Sequence, residues 1–179
     1  MKTSIVVILA TSLTMPLAQA DLYVELGMES GSKELVSTTS GDNLYSGGGI
    51  KLAAGVQNYI NNDASVRLTL GYLGDSVTAE NGSAEIDTVT FDALYLINSG
   101  PHTFGLGPTF HMNPSYHDDV AGYAPVDIEF DNAVGLMFQY GYKIVPGIEI
   151  GARVTNIEYV NNATTLDASS FGVYFSNGF

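Results

Sequence analysis

Apolar and polar residues alternate along most of this chain. In the segment Leu22–Glu29, leucine, valine and methionine occupy the even positions, whereas a tyrosine, two glutamates and a glycine occupy the odd positions. Successive side chains of a β-strand point to opposite faces, so a period of two predicts a strand with one apolar face. The same pattern predicts eight strands: Leu22–Glu29, Leu44–Ile60, Val66–Asp75, Ile86–Asn98, Thr103–Asn113, Asp127–Lys143, Ile148–Tyr159 and Ser170–Phe179.

The intervals between these strands alternate in length. The long intervals are Ser30–Asn43, Ser76–Glu85, Pro114–Val126 and Val160–Ser169, and the short ones are Asn61–Ser65, Ser99–His102 and Ile144–Gly147. Up-and-down transmembrane β-barrels have short turns at one end and longer loops at the other. Their strands span the bilayer with ~9–11 residues each. The pattern therefore predicts an all-β chain, folded as an eight-stranded antiparallel up-and-down transmembrane β-barrel.

The polar side of the strands favours this barrel over a soluble β-sandwich or a lipocalin-like barrel, which would turn its apolar face inward. Gly, Ala, Ser and Thr dominate the polar positions, and charged residues make up only 14% of the chain, against about 25% in an ordinary soluble domain. Small side chains suit the narrow lumen of an eight-stranded barrel. Aromatic residues near the strand ends are the expected interfacial girdles: Tyr72, Phe104, Phe110, Phe130, Tyr140 and Tyr142.

The first twenty residues have the pattern of a secretory signal peptide. Lys2 supplies a positive charge, an apolar run begins at Ile5, and Ala18-Gln19-Ala20 matches a small-residue cleavage site. The alternative is a membrane anchor, but Pro16 and nearby polar residues interrupt the apolar stretch, which would need ~20 residues to span a bilayer. We therefore expect a cleaved signal peptide, residues 1–20, and one mature barrel domain, residues 21–179.

The charge balance and the absence of cysteine exclude several functions. The chain has 6 Lys and Arg against 19 Asp and Glu, a formal net charge of −13. Nucleic-acid binding requires clusters of basic residues, so it is excluded. With no cysteine there is no thiol nucleophile, disulfide or Cys-bound metal. The glycine-rich runs at Gly47–Gly49 and Gly105–Gly107 precede neither a helix nor a Lys-Ser/Thr pair, so they predict no phosphate loop, and we expect no cofactor.

The C-terminal strand carries a family resemblance. Its sequence, Phe171-Gly172-Val173-Tyr174-Phe175-Ser176-Asn177-Gly178-Phe179, resembles the last strand of Gram-negative outer-membrane barrels, and Gly151–Tyr159 resembles the strand before it. With the signal pattern and the eight strands, the chain resembles the small OmpA/OmpX/OmpW-type barrels. The resemblance implies a monomer in the Gram-negative outer membrane, in contact with outer-membrane lipids and lipopolysaccharide. It also implies that the barrel-assembly machinery recognises the terminal Phe179.

Charged residues on the inward-facing positions predict a plugged lumen. The basic ones are Lys51, Arg67, Lys143 and Arg153, and the acidic ones are Glu25, Asp92, Glu129, Asp131 and Glu149. An uncompensated charge in a narrow, poorly hydrated interior is costly, so these groups should form ion pairs. We expect Arg153 and Lys51 to pair with Asp92 or Glu25, and Arg67 to pair with Glu149. The predicted lumen network is therefore Glu25, Lys51, Arg67, Asp92, Glu149 and Arg153.

The third long interval is the main candidate for other chemistry. It and its borders contain His111, Ser115, His117, Asp118, Asp119 and Asp127. The expected interpretation is an acidic, solvated outer loop. Two alternatives are a weak divalent-cation site formed by Asp118, Asp119 and Asp127, and a Ser-His-Asp hydrolase triad. Lipid A deacylases among small barrels place a His and a Ser two residues apart on their last strands, whereas no His lies near Ser169, Ser170 or Ser176 here.

These observations predict an integral outer-membrane protein without enzymatic activity. It would serve envelope structure or form a very narrow passive pore. The alternatives are a lipid A-modifying barrel enzyme of the acylase or deacylase type and a hydrophobic-solute channel of the OmpW type.

Overall fold

The structure, a computed structural model, describes residues 20–38, 41–121, 123–161 and 164–179. The predicted signal peptide lies outside this part except for Ala20, at which the first strand begins. Within the described ranges, no helix is long and apolar enough to cross a membrane. The strands are β1 (Ala20–Gly31), β2 (Lys33–Ser37), β3 (Asn43–Ser46), β4 (Gly49–Tyr59), β5 (Ala64–Ala79), β6 (Gly82–Ser99), β7 (His102–Val120), β8 (Val126–Glu129), β9 (Ala133–Val145), β10 (Ile148–Asn156), β11 (Glu158–Val160), β12 (Thr165–Asp167) and β13 (Ser170–Gly178).

Eight of these strands form a closed antiparallel barrel, as predicted. They are β1, β4, β5, β6, β7, β9, β10 and β13, each paired with the next in chain order, and β13 pairs with β1 to close the sheet. Leu22 and Phe179 exchange two backbone hydrogen bonds of 3.2 and 2.9 Å. The start of the first barrel strand and the C-terminus therefore lie at the same end of the barrel, which we call the terminal end. Glu25 on β1 is connected through successive cross-strand pairs to Lys143 of β9 in one direction around the barrel. In the other direction the pairs lead to Ala133, ten residues away on the same strand β9. The strands are therefore tilted, as barrel closure requires.

The barrel exposes apolar side chains and buries polar ones. Leu22, Met28 and Val134 are 63–65% exposed, whereas the adjacent inward residues Tyr23 and Glu29 are buried. A soluble β-sandwich has the reverse arrangement, because its apolar faces pack against each other. An outward apolar belt is what a lipid-facing barrel wall requires. Aromatic contacts lie on this wall near the terminal end, where the rings of Phe104 and Tyr140 are 5.3 Å apart.

The barrel strands β5, β6 and β7 extend well into two of the predicted loops. β5 and β6 meet at a turn at residues 80–81, inside the predicted loop Ser76–Glu85, and β7 continues through Pro114 to Val120. The prediction that this strand ends at Asn113 was wrong because a bulge accommodates the proline. Asp87 pairs with Ser115 and Val89 with Met112, which leaves Asn113, at φ 49°, and Pro114 outside the ladder. Proline lacks an N–H group, so a bulge is one of the few strand positions it tolerates.

The loops opposite the termini form a compact structure, which we call the outer cap. It contains the hairpins β2–β3 and β11–β12, strand β8 and the distal parts of β5, β6 and β7. Its apolar core consists of Leu44, Val77, Ala84, Ile86, Phe130, Ala133, Ile157, Tyr159 and Ala168. The third long interval, expected to be an acidic, solvated outer loop, is exposed at residues 119, 121 and 123–126, whereas Tyr116 at its start packs against this core. Phe130, predicted to face lipid, is 7% exposed in this core, because residues 130–132 interrupt the strand and break the alternation of faces.

Candidate functional site

The lumen is filled by charged and polar side chains, which we call the lumen network. Its members come from seven of the barrel strands and form two sets joined by hydrogen bonds and ion pairs. One set is Lys51, Thr69, Asp92 and Thr109, and the other is Tyr23, Glu25, Glu29, Gln57, Arg67, Glu149, Arg153, Ser170 and Tyr174. Each lies on the inward face because strand side chains alternate.

Lys51 and Asp92 form one ion pair of the network. Lys51 Nζ donates to Asp92 Oδ2 over 2.7 Å, and both residues are 2% exposed. The hydroxyl of Thr109 donates to Asp92 Oδ1 at 2.6 Å, and that of Thr69 donates to Oδ2 at 3.1 Å. The carboxylate thus has a charged partner and two hydroxyl donors, which is what a buried charge needs to be tolerated.

Arg153 occupies the centre of a second group and contacts two carboxylates. Its Nη2 donates to Glu25 Oε1 at 2.5 Å, and its Nε lies 2.9 Å from Glu29 Oε1. Glu29 Oε2 accepts from the Ser170 hydroxyl at 3.3 Å. Gly172 lies on the strand between these residues, and the Glu29 carboxylate occupies the space that a Cβ at this position would fill. The glycine therefore lets the Glu29 carboxylate reach Arg153 without being displaced.

Arg67 forms the layer nearest the termini. Its Nε and Nη2 donate to Gln57 Oε1 at 2.9 and 2.8 Å, and its Nη1 donates to the Tyr23 hydroxyl at 2.8 Å. The guanidinium carbon also lies 3.8 Å from the centroid of the Tyr23 ring, a cation–π distance. Nη2 is 3.5 Å from Glu149 Oε1, which also accepts from the Tyr174 hydroxyl at 2.8 Å.

The Tyr23 hydroxyl connects the two arginine groups. It accepts from Arg67 and donates to Glu25 Oε2 at 3.0 Å, and Glu25 in turn pairs with Arg153. On the terminal side of Arg67 lies a vestibule of about 340 Å³, at whose rim Lys143 Nζ donates to Asn98 Oδ1 at 3.0 Å. At the other end, His111 Nδ1 lies 2.6 Å from the hydroxyl of Tyr159, a residue of the outer cap. Side chains therefore close the lumen between the vestibule and the cap.

The structure places all six residues of the predicted network inside the barrel, in the pairs Lys51–Asp92, Arg67–Glu149 and Arg153–Glu25. Two other predicted inward acids are not there. Both are exposed at the outer cap, because Glu129 ends β8 and Asp131 lies within the break between β8 and β9. Glu29 was missed, since it lies at the end of the predicted strand, although its position on the polar parity of Leu22–Glu29 was a usable signal.

The carboxylates of the alternative cation site, Asp118, Asp119 and Asp127, do not converge in the structure. Within the described residues, no three His, Asp or Glu side chains are placed to hold a metal ion together. Asp118 and Asp119 are adjacent on β7 and so point to opposite faces. Asp127 instead bonds His117, with 2.5 Å between Oδ1 and Nδ1. This hydrogen bond, followed by the nearby negative charges, raises the pKa of His117.

The hydrogen bonds do not assemble the triad considered from the sequence. Ser115 donates to Asp87 Oδ1 at 2.5 Å, and His117 is held by Asp127. The other two histidines pair with tyrosine hydroxyls, His102 with Tyr140 at 2.8 Å and His111 with Tyr159 at 2.6 Å. A Ser-His-Asp triad needs the serine within hydrogen-bond reach of the histidine that serves as its base, and within the described residues no serine is hydrogen-bonded to a histidine.

A closed antiparallel barrel with an apolar exterior and an ion-paired interior defines a class: the small outer-membrane β-barrels. Solved structures of that class resemble this chain. Neisserial surface protein A shares 12% identity over 90% of this chain and 98% of its own, with a TM-score of 0.57. Ail of Yersinia pestis shares 11% over 89% and 95%, with a TM-score of 0.55. The N-terminal barrel domain of Pseudomonas aeruginosa OprF shares 8% over 90% and 98%, with a TM-score of 0.50.

At these identities the likeness shows the fold alone. No family model matches the chain, and no curated protein matches it in sequence.

Proposed function

We propose that this protein is a non-enzymatic structural component of the outer membrane, with a lumen that is closed at rest. The observation that supports this function is the lumen network, in which Lys51, Asp92 and Arg153 are each 2% exposed and hydrogen-bonded to partners on other strands. Eight strands leave an interior that side chains can just fill. The outer cap covers the far end of the same lumen.

Opening such a lumen would require at least one buried ion pair to separate. Removing the partner of a buried charge costs about 3–5 kcal/mol, so conducting conformations should be rare. A passive pathway, if present, would be restricted to very small solutes that fit through transient gaps. We expect the monomeric barrel to contribute to the envelope through its lipid contacts and its surface.

Planar-bilayer recording of the purified mature chain tests this proposal. We expect no sustained current from the wild type and a leak from Arg153→Ala, which removes the centre of the network. Val154→Ala is the matched control, because Val154 is the next residue and faces lipid with 49% exposure. A stable open current from the wild type would contradict the closed lumen.

Lipid A-modifying activity is the main alternative. The histidines are hydrogen-bonded to tyrosines and an aspartate rather than to a serine, and this supports the non-enzymatic proposal. Mass spectrometry of lipid A from cells with and without the protein provides the test. We expect identical acylation patterns. A change in acyl-chain number that depends on the protein would show that it is an enzyme.

Two ligand classes fit the chain poorly. A hydrophobic solute would have to pass the charged groups of the lumen network, so the alternative of an OmpW-type channel is disfavoured. Ail has been solved in complex with the heparin analogue sucrose octasulfate, but a polyanion would be repelled by this cap. Its sequence has Lys33 as the sole Lys or Arg and many acids, among them Glu34, Glu80, Glu85, Asp118, Asp119, Asp127, Glu129, Asp131 and Glu158.

A further inference from the structure

A cleft in the outer cap combines apolar walls with one buried carboxylate oxygen. The cleft has a volume of about 240 Å³ and lies between the β2–β3 hairpin and the distal parts of β5, β6 and β7. Val36, Val77, Ala84 and Val120 supply apolar walls, and Asp118 supplies the carboxylate. We call this the cap cleft.

The Asp118 carboxylate is only half satisfied. Its Oδ2 accepts a hydrogen bond from the Tyr116 hydroxyl at 3.3 Å. Its Oδ1 is buried and has no hydrogen-bond partner among the described residues. Since a buried acceptor without a donor is destabilising, this oxygen favours a ligand that brings an N–H group.

Strand geometry directs Asp118 into the cleft and its neighbours away from it. Asp118 is paired across the sheet with Ala84, a member of the cap core. Side chains alternate, so Asp119 points to the opposite, solvent-facing side and is exposed. A second hollow of about 390 Å³, lined by Tyr123 and Val126, shares Asp118 and Val120 with the cleft. The carboxylate thus lies between two partly apolar hollows.

We propose that the cap cleft is a docking site for a basic peptide segment from outside the cell, in which a Lys or Arg is flanked by apolar side chains. The charged end of that residue would donate to Asp118 Oδ1, and its aliphatic stem would pack on the valines, as long basic side chains do. A divalent metal does not fit, because calcium takes six to eight oxygen ligands. The surrounding acids attract cations and raise the rate of encounter.

This inference goes beyond the structural role proposed above and does not depend on it. A sealed lumen and a binding surface on the cap are separate properties of the two ends of the same strands. A barrel that conducts could still bind such a peptide, and a closed barrel could fail to bind it.

A pair of variants on adjacent residues provides the test. The probe is a synthetic peptide of alternating Lys and Leu, and the control peptide carries Glu in place of Lys. Binding to the barrel in nanodiscs of uncharged lipid is measured by calorimetry, with empty nanodiscs as the blank. Asp118→Asn and Asp119→Asn remove the same charge from opposite faces of β7. The difference between their effects on peptide binding therefore measures the contribution of the cleft.

We expect Asp118→Asn to weaken binding of the Lys peptide about tenfold, the loss of one charged hydrogen bond, and Asp119→Asn to weaken it less than about twofold. Val120→Trp, which fills the cleft and keeps the charge of Asp118, should also weaken binding of the Lys peptide. This variant provides the test if Asp118→Asn fails to fold. Equal losses in the two Asn variants would show diffuse attraction to an acidic surface and overturn the proposal. Binding no stronger than to empty nanodiscs would overturn it as well.

Discussion

Arg153 on β10 reaches over β13 to Glu25 on β1, with 2.5 Å between Nη2 and Oε1. The two strands are not neighbours, since β13 lies between them and pairs with both. This ion pair therefore joins the N-terminal strand of the barrel to its C-terminal part at the place where the sheet closes. Breaking it should affect both the stability of the barrel and the seal of the lumen.

Arg153→Ala should lower the free energy of unfolding by about 3–5 kcal/mol, because it leaves Glu25 and Glu29 buried without their shared cation. Urea unfolding in detergent measures the change. Adding Glu25→Gln and Glu29→Gln to the same chain should recover part of the loss, since neutral groups are cheaper to bury. Wild-type stability for Arg153→Ala would mean that these positions do not face the lumen.

Gly172→Ala should destabilise the barrel by about 1–3 kcal/mol, the usual cost of overpacking. The new methyl group would displace the Glu29 carboxylate, which Arg153 and Ser170 hold in place. Gly178→Ala on the same strand is the control, because a Cβ there would be in ordinary contact with the Leu22 carbonyl oxygen, 3.8 Å away. Similar losses in the two variants, measured by urea unfolding, would argue against a specific collision at Gly172.

The inward set of residues was predictable because it depends only on the period of two. Lys51, Arg67 and Arg153 lie on the positions that alternate with the lipid-facing ones, and one narrow barrel brings them to their acids. The expected partners were chosen from the approximate position of each residue along its strand, measured from the ends of the predicted strands. The period says which face a residue occupies, without saying where along the strand the membrane ends.

The outer cap was not predictable, because the period of two does not show where along a strand the membrane ends. Its strands β5, β6 and β7 continue the same alternation beyond the barrel, so nothing in the pattern separates lipid-facing wall from cap. Phe130 and Glu129 were assigned to the wrong surroundings because the break at residues 130–132 changes the face without a glycine or proline to mark it. Pro114 favoured a loop, and only the bulge opposite Asp87 and Val89 shows how a strand accommodates it.

The docking of β8 onto β7 should weaken as pH rises. Asp127 raises the pKa of His117 above its unfolded value through their hydrogen bond. A raised pKa means that the stabilisation is fully present below the unfolded pKa and is lost as pH rises through the folded one. Hydrogen exchange at the amides of β8, corrected for its intrinsic pH dependence, should therefore show less protection at pH 8.5 than at pH 5.5.

Asp127→Asn is the control for this pH effect. It removes the partner of His117 while leaving the β7–β8 ladder, whose pairs include Ser115 with Glu129 and Tyr116 with Ile128. The variant should show the same corrected protection at both pH values. A pH dependence that persists in Asp127→Asn would assign it to another group.

Deleting Phe179 should reduce assembly in cells more than it reduces stability. Its side chain is 70% exposed, and its backbone contributes the hydrogen bonds to Leu22. The truncated chain should refold in detergent with nearly unchanged urea stability but accumulate poorly as assembled barrel. The comparison requires heat-modifiability on gels for the cellular protein and unfolding curves for the refolded one. Equal yields in cells would contradict recognition of the terminal residue.

The orientation of the barrel can be tested through two lysines at opposite ends. Lys33 is exposed in the outer cap, and Lys143 lies at the rim of the vestibule beside the termini, whereas Lys51 is buried in the lumen. If the long loops face outward, a membrane-impermeant amine reagent added to intact cells should modify Lys33 alone. Permeabilising the outer membrane should then expose Lys143, while Lys51 should react only after unfolding. Peptide mapping by mass spectrometry identifies the modified residue, and labelling of Lys143 before Lys33 in intact cells would reverse the assigned orientation and place the cap cleft in the periplasm.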